Sequence, residues 1–455
     1  MNNMTLTEIA GACNGRLFAS DGYHERKAAG VVLDSRKVEK DYLFIAAKGA
    51  RADGHDFIDT AFDKNALAVV CEKAPLSPKG PYILVDNSFV ALKDIAAWYR
   101  MQLNVTVVGI TGSVGKTSAK EFIGSVLNQK YSVLKTEGNF NNEVGLPLTI
   151  LKIRDDHNAA VLEMGISHFG EMHRLSEIAK PDIVVVTNIG QSHLENLKSR
   201  EGVFKAKSEI FDCMNRNGRV CINGDDDMLS AIREVNGIKP VRFGMGTDND
   251  VFAANVVNRG YSGCSCDIHT KGNIFRTNIP LPGEHMVFNA MAAVSVGLLM
   301  DLTCEEIAAG IEAVLPLGGR NNIIRLKKWT IIDDCYNASP VSMKAAIDLL
   351  SIADTRKVAI LGDMYELGDM ENSLHNEIGR YAAARNVDVI LCVGKLSLNM
   401  YYGAAGGYTG ILLYYETLNE LIQALPSIVN KGDTILVKAS HRMEFEKAVK
   451  TLIPE

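Results

Sequence analysis

Residues 107–121 read VVGITGSVGKTSAKE: an apolar strand pattern enters a glycine loop that ends in Lys116 and Thr117, at the start of a helix-forming stretch. Strand, glycine loop and helix in that order make a triphosphate-binding site. Glycines let backbone N–H groups close on phosphate oxygens, and the helix start adds positive potential. The lysine neutralises charge and the threonine hydroxyl can hold Mg²⁺. The spacing is a variant of the ordinary phosphate loop. That template wants glycine five residues before Gly115, where this chain has Ile110, and the glycines fall instead at Gly109 and Gly112.

At 455 residues the chain is too long for one ordinary core, and about 150 residues per domain predicts three. A hydrophobic content of 47% with 22% charged residues is that of a soluble globular protein. The net charge of −6 is mild, and no lysine or arginine run interleaves with aromatics, so no nucleic-acid partner is expected. Nine cysteines are scattered without a CxxC pair, which argues against zinc and disulfides. Cys264 and Cys266 alternate within an expected strand, where one face buries both. The start, MNNMTLTEIAGACNGRLF, lacks the basic end and apolar core of a signal peptide. The most apolar helix, MVFNAMAAVSVGLLM, is shorter than the ~20 residues that span a bilayer and contains Asn289. A monomeric cytoplasmic enzyme without a membrane span is therefore expected.

Three α/β segments follow from the periodicity. Residues 1–103 alternate short strands (YLFIAAK, ALAVVCE, YILVD) with helical stretches such as SFVALKDIAAWYRMQ. Residues 104–314 carry the phosphate loop and the buried-type strands VTVVGIT, NAAVLEM and DIVVVTNIG, as in a parallel sheet covered on both faces, with an antiparallel insertion at about 251–280. Residues 315–455 alternate strand and helix again (TIIDD, KVAILGD, DVILCVG, DTILVKA), in the manner of a dinucleotide-type, Rossmann-like fold without the GxGxxG fingerprint. Asn430 to Asp433 spell the guanine-reading string NKxD, but lie between a helix and a strand far from the phosphate loop, so a turn is expected there.

In an open parallel sheet, ligands bind beyond the carboxyl ends of the strands. NAAVLEMG puts Glu163 at one such end, and DIVVVTNIGQSHLE puts His193 just after another. Carboxylate and imidazole facing the crevice of Lys116 would suit a second divalent cation beside the one on Thr117. Lys207 shares a helix with Val203, Phe204, Ile210 and Phe211. It is either a surface lysine or a buried one. Burial would lower its pKa and leave a neutral amine able to react with CO₂, giving a carbamate anion.

TGSVGKT, GNFNNEVGLPLTIL, VLEMGISHFGEM, TNIGQSHLE, AKSEIF, LPGEHMVFNAMAA, GGR, DDCYNASP and GDMYELG together resemble the ordered signature of the Mur ligases, the ATP-dependent amide-forming enzymes of peptidoglycan precursor synthesis. The resemblance runs through the whole chain. GNFNNEVGLP, LEMG and GDMYELG are most similar to the members that add D-alanyl-D-alanine to UDP-N-acetylmuramoyl-tripeptide, and the DNPR string of the preceding ligase is absent.

The resemblance implies that Gly112, Ser113, Val114, Gly115, Lys116, Thr117 and Ser118 bind the ATP phosphates. It implies one Mg²⁺ on Thr117, a second on Glu163 and His193, and a carbamylated Lys207 beside them. Asn289 would contact adenine, Arg320 would reach the γ-phosphate from the domain junction, and Asp334, Tyr336 and Asn337 would line the nucleotide. Ser35, Arg36, Arg51, Asp53 and His55 would hold the UDP-sugar-peptide, and Asn139, Asn141 and Asn142 would line the passage to the metals. The DGH string at 53–55 also makes a good turn and helix start, so a structural role stays open for it. The implied reaction passes through an acyl phosphate and releases ADP and phosphate. Two departures stand out. The family's C-terminal KGSRSM becomes KASHRM at 438–443, with His441 at the usual arginine position, and Ser118-Ala119 replaces the usual threonine pair. The rival readings are another Mur-type ligase, a folate polyglutamate ligase, and a non-catalytic binder of UDP-muramyl peptides.

Overall fold

A computed structural model describes residues 1, 4–50 and 52–453. It holds three sheets, each with helices, in chain order. The first has five strands in the order Arg16–Phe18, Tyr82–Leu84, Ala68–Cys71, Tyr42–Ile45, Gly30–Val32, parallel except for the first pair. The helix Ser88–Gln102 coincides with SFVALKDIAAWYRMQ, because the Asn87 side chain accepts the N–H groups of Phe89 and Val90 and fixes its start. Its buried face, Ala91, Leu92, Ile95, Ala96 and Tyr99, follows helical spacing.

That helix also binds the first sheet to the second. The Tyr99 hydroxyl donates to the Ile153 carbonyl at 2.7 Å, and Arg100 donates to the Ala179 carbonyl at 2.9 Å and to Asp182 at 2.8 Å. One hydrophobic core runs without a break from Leu43, Val70 and Ile83 of the first sheet, through Leu92 and Ile95, to Leu162 and Val184 of the second.

The second sheet has nine strands, ordered Asn273–Ile279, Cys264–Thr270, Val251–Asn258, Val241–Gly244, Arg219–Asn223, Ile183–Val186, Thr106–Thr111, Ala159–Glu163, Val133–Lys135. The first two pairings are antiparallel and form the insertion expected near 251–280; the rest are parallel. Cys264 and Cys266 are both buried in their strand. Thr106–Thr111 lies between the two strands that end at Glu163 and Val186, with Ile110 opposite Glu163 and Thr111 opposite Val186. The loop, Glu163 and the segment leading to His193 therefore leave one edge of the sheet side by side.

The third sheet runs Asn322–Arg325, Thr330–Asp333, Thr434–Lys438, Lys357–Gly362, Val389–Val393, Ile411–Tyr415, with only the first pair antiparallel. Its two faces bury their own cores, one of which Tyr261 from the insertion of the second sheet also touches. Asn430 to Asp433 form the expected turn: the Asp433 carboxylate accepts the Asn430 N–H at 2.8 Å and pairs with Arg356 at 2.8 Å. Among the described residues no helix is long and apolar enough to cross a membrane.

Candidate active site

The phosphate loop is held from below by the segment after the next strand. Asn188 accepts the N–H groups of Ser113 and Val114, each at 3.0 Å, through its carbonyl and its side-chain oxygen, and its amide donates to the Val114 carbonyl at 2.8 Å. Two glycines are required by conformation, and the first of them by contact as well. At Gly112, φ is 151° and a Cβ would lie 1.9 Å from Thr187 Oγ1; at Gly115, φ is 85° and the nearest atom would be Asn289 Oδ1 at 3.0 Å. The helix Lys116–Leu127 starts directly after Gly115 and aims its free N–H groups at the loop.

The loop floors a cleft of about 910 Å³ between the second and third sheets. Ser113 to Ser118, Asn139, Asn141, Asn142, Glu163, His193, Asn289, Arg320, Asp334, Tyr336 and Asn337 all line it. Lys116 Nζ donates to the Gly112 carbonyl at 2.7 Å, and burial lowers its pKa, opposed in part by the charge of Glu163. Thr117 Oγ1 donates to Glu163 Oε2 at 2.8 Å, and Asn141 donates to Glu163 Oε1 at 2.8 Å. The Asn142 side chain accepts from Val144 and Gly145, capping a helix start.

Glu163 thus sits with Thr117 and not with His193. His193 instead meets a carboxylate of the third segment: its Nδ1 is 2.5 Å from Glu366 Oε2, and this contact holds the Glu366 carboxyl below its usual pKa. No cluster of three or more His, Cys, Asp or Glu side chains fit to hold a metal occurs among the described residues. A cation at the cleft would therefore draw on hydroxyl, carboxylate and imidazole groups from different strands, together with its ligand's own oxygens.

Lys207, on the helix Arg200–Ser208, is 1% exposed and does not line the cleft, and its Nζ has no hydrogen-bond partner. An ammonium in such a place is strongly disfavoured. Burial holds its pKa well below the ordinary value, and the like charge of Lys116 adds to the shift.

From the third segment, consecutive carboxylates clamp the turn that carries Arg320. Asp333 accepts the Gly319 N–H at 2.8 Å and Asp334 accepts the Asn321 N–H at 3.1 Å. The Arg320 guanidinium lies 4.0 Å above the Tyr336 ring, which stacks in turn on His441 at 5.2 Å. Lys438, buried, donates to Asp334 at 2.6 Å and to the Asn337 carbonyl at 3.0 Å.

Of the first-segment candidates, Ser35, Arg36, Asp53 and His55 do not line the cleft. Ser35 is buried, while Arg36 is exposed and paired with Asp34. Asp53 accepts the His55 N–H at 3.0 Å and meets His55 Nδ1 at 2.6 Å, and His55 Nε2 accepts the Glu72 N–H at 2.9 Å, so the DGH string builds its own turn. Arg51 lies outside the described residues.

Models of three protein families match the chain: Mur ligase family, catalytic domain, over residues 27–100; Mur ligase middle domain over 110–297; and Mur ligase, glutamate ligase domain, over 319–441. The chain is 39% identical to UDP-N-acetylmuramoyl-tripeptide–D-alanyl-D-alanine ligase of Bacillus subtilis (strain 168), in an alignment covering 100% of this chain and 99% of that relative. The chain belongs to the Mur ligase family. Among solved structures, MurF from Acinetobacter baumannii superposes with a TM-score of 0.91 at 31% identity, covering 98% of each chain. MurF ligase from Thermotoga maritima in complex with ADP superposes at 0.82 with 30% identity, over 93% of this chain and 96% of that one.

Among the cleft residues of this Mur ligase that escaped the sequence reading are Asn188, Glu366 and Lys438. Glu366 lies in GDMYELG and Lys438 opens KASHRM, so both strings were visible; their partners were not.

Proposed function

We propose that this chain is an ATP-dependent amide ligase that joins D-alanyl-D-alanine to the terminal carboxylate of UDP-N-acetylmuramoyl-tripeptide. A carboxylate oxygen of the tripeptide attacks the γ-phosphorus of ATP, the new O–P bond forms as the β–γ bridge breaks, and ADP leaves. The dipeptide amine then attacks the acyl carbon; the C–N bond forms, the bond to phosphate oxygen breaks and the amine loses its proton. Triphosphate and carboxylate repel, so positive groups must hold them together. The backbone from Gly112 to Ser118 would cradle the phosphates, with Lys116 on one side of the transferring group and Arg320, held over Tyr336, on the other. Asn289 would face adenine, and Asp334, Tyr336 and Asn337 would line the nucleotide.

Hydroxyl, carboxylate and imidazole are donors that suit Mg²⁺: one ion would sit on Thr117, and a second would draw on Glu163 and His193 from their separate strands, with Lys207 near them. The buried, unpartnered Lys207 Nζ supports the carbamate: a neutral amine adds to CO₂ and releases a proton, and the resulting anion would face the charge of Lys116. When bound, the ions would spread the charge of the transferring phosphoryl group. Asn139 and Asn141 would line the carboxylate's way in. Ser35, Arg36 and Arg51 would hold the UDP-sugar-peptide, with Asp53 and His55 shaping the turn beside them.

The observation that carries this reading is the cleft itself, where the loop and Glu163 of one sheet face Arg320 and Asp334 of another. The test is product mass after incubation with ATP, Mg²⁺, UDP-muramoyl-tripeptide and D-alanyl-D-alanine. A pentapeptide product with matched ADP release is expected. Phosphate release with glutamate and a folate, and none with the dipeptide, would overturn the assignment.

A further inference from the structure

The string GDMYELG contains a carboxylate that the proposed reaction leaves idle. Glu366 follows the carboxyl end of Lys357–Gly362 in the third sheet, yet it reaches the second sheet to meet His193, with Oε2 2.5 Å from Nδ1. The backbone is left-handed at both residues, with φ of 66° at Glu366 and 55° at His193. Non-glycine residues keep that conformation only where the surroundings impose it. The Glu195 N–H donates to the Glu366 carbonyl at 3.2 Å, which holds the main chain of Glu366 against the second sheet, while the exposed Arg442 guanidinium lies 4.0 Å from Oε1.

A neutral imidazole carries a single N–H. An ionised carboxylate only accepts, so a carboxylate against Nδ1 keeps the hydrogen there and leaves the lone pair on Nε2. Ser167 Oγ, 3.5 Å from the same Nδ1, can donate or accept and does not choose between the two forms. We propose that Glu366 is a positioning residue: from the third sheet it fixes the tautomer and ring orientation of His193 on the second, so that Nε2 is ready to ligate a divalent cation when the two sheets are docked. This rests on the reading of His193 as a ligand. It makes cation binding and docking of the third segment one event, through a carboxylate, imidazole and metal relay.

The test uses the full chain with a non-hydrolysable ATP analogue and Mn²⁺ as the probe, free Mn²⁺ being read by electron paramagnetic resonance. Glu366→Ala should weaken the cation site by about 10-fold to 100-fold. Glu366→Gln, whose amide oxygen still accepts from Nδ1, should stay close to the parent. The ¹⁵N signals of His193, assigned by their loss in His193→Ala, should move toward the Nε2–H form in Glu366→Ala alone. His193→Ala should weaken Mn²⁺ at least as much, and Glu366→Ala on top of it should add nothing.

Unchanged Mn²⁺ binding and unchanged ¹⁵N signals in Glu366→Ala, with weakened binding in His193→Ala, would overturn the positioning role and leave the ligand reading standing. An additive double variant would likewise reduce Glu366 to a docking contact. Unchanged binding in His193→Ala would remove the ligand reading itself.

Discussion

Lys207 and Lys116 are two lysines within electrostatic reach of each other, and only Lys116 lines the cleft. If Lys207 acts as a carbamate, Lys207→Arg and Lys207→Ala should both be nearly inactive, although arginine keeps the positive charge. Formate or acetate should restore part of the turnover of the alanine variant by supplying the missing anion, and none to arginine, which fills the space. A fully active Lys207→Arg enzyme would end the carbamate reading. Stability offers a second readout. The folded pKa lies well below the ordinary 10.5, so between those values the unfolded chain binds a proton that the folded chain does not. Stability therefore rises with pH through that window and is complete only above the unfolded value. In CO₂-free buffer, Lys207→Met should be more stable than the parent near neutral pH, by a margin that shrinks as pH approaches 10.5; parallel urea titrations would show it. Lys116→Ala should lower turnover by at least ~10³ with the fold intact, since it removes a preorganised charge from the loop and no core contact. Retention of more than about a tenth of the activity would sink the assignment of the loop.

The strand, loop and helix that carry Lys116 show how far local pattern reaches. The strand Thr106–Thr111, the helix Ser88–Gln102 and the strand end at Glu163 were legible because each follows from alternation, a cap or a glycine that nearby residues alone determine. The placing of Glu163 and His193 on one sheet edge was legible as well. Their partners were not. The Glu163 to Thr117 contact spans 46 residues, the Asp334 to Lys438 contact 104 and the His193 to Glu366 contact 173, and side-chain pairings over such separations leave no period in a sequence. The burial of Lys207 was legible only as one of two possibilities, because an apolar helix face does not say what covers it. Within the loop, Gly112→Ala should be worse than Gly115→Ala, since its Cβ meets Thr187 Oγ1 at 1.9 Å while that of Gly115 meets Asn289 at 3.0 Å. We expect Gly112→Ala to lose about 1–3 kcal/mol of stability along with nucleotide affinity. Thr187→Ala should return part of the stability. Thermal melts and nucleotide titrations of the single and double variants would check this, and equal effects at both glycines would contradict it.

At the scale of the molecule, the cleft has walls of unequal attachment. The first and second sheets share one core, while the third buries its own and meets the second through the Arg320 turn, Tyr261 and the Glu366 contact. Motion should therefore concentrate in the third sheet. ATP analogue and UDP-substrate together should compact the molecule in small-angle scattering, with the first two sheets moving as one body. Identical profiles with and without both ligands would count against a closing step. The shared core also decides where this chain can be divided. A fragment ending near residue 103 would expose the face of Ser88–Gln102 that packs on the helices Gly145–Ile150 and Glu171–Ala179, because the core to which Leu92 and Ile95 belong continues as far as Val235. Such a fragment should aggregate when produced alone. The last third, cut near 315, carries a complete interior and should be recoverable by itself.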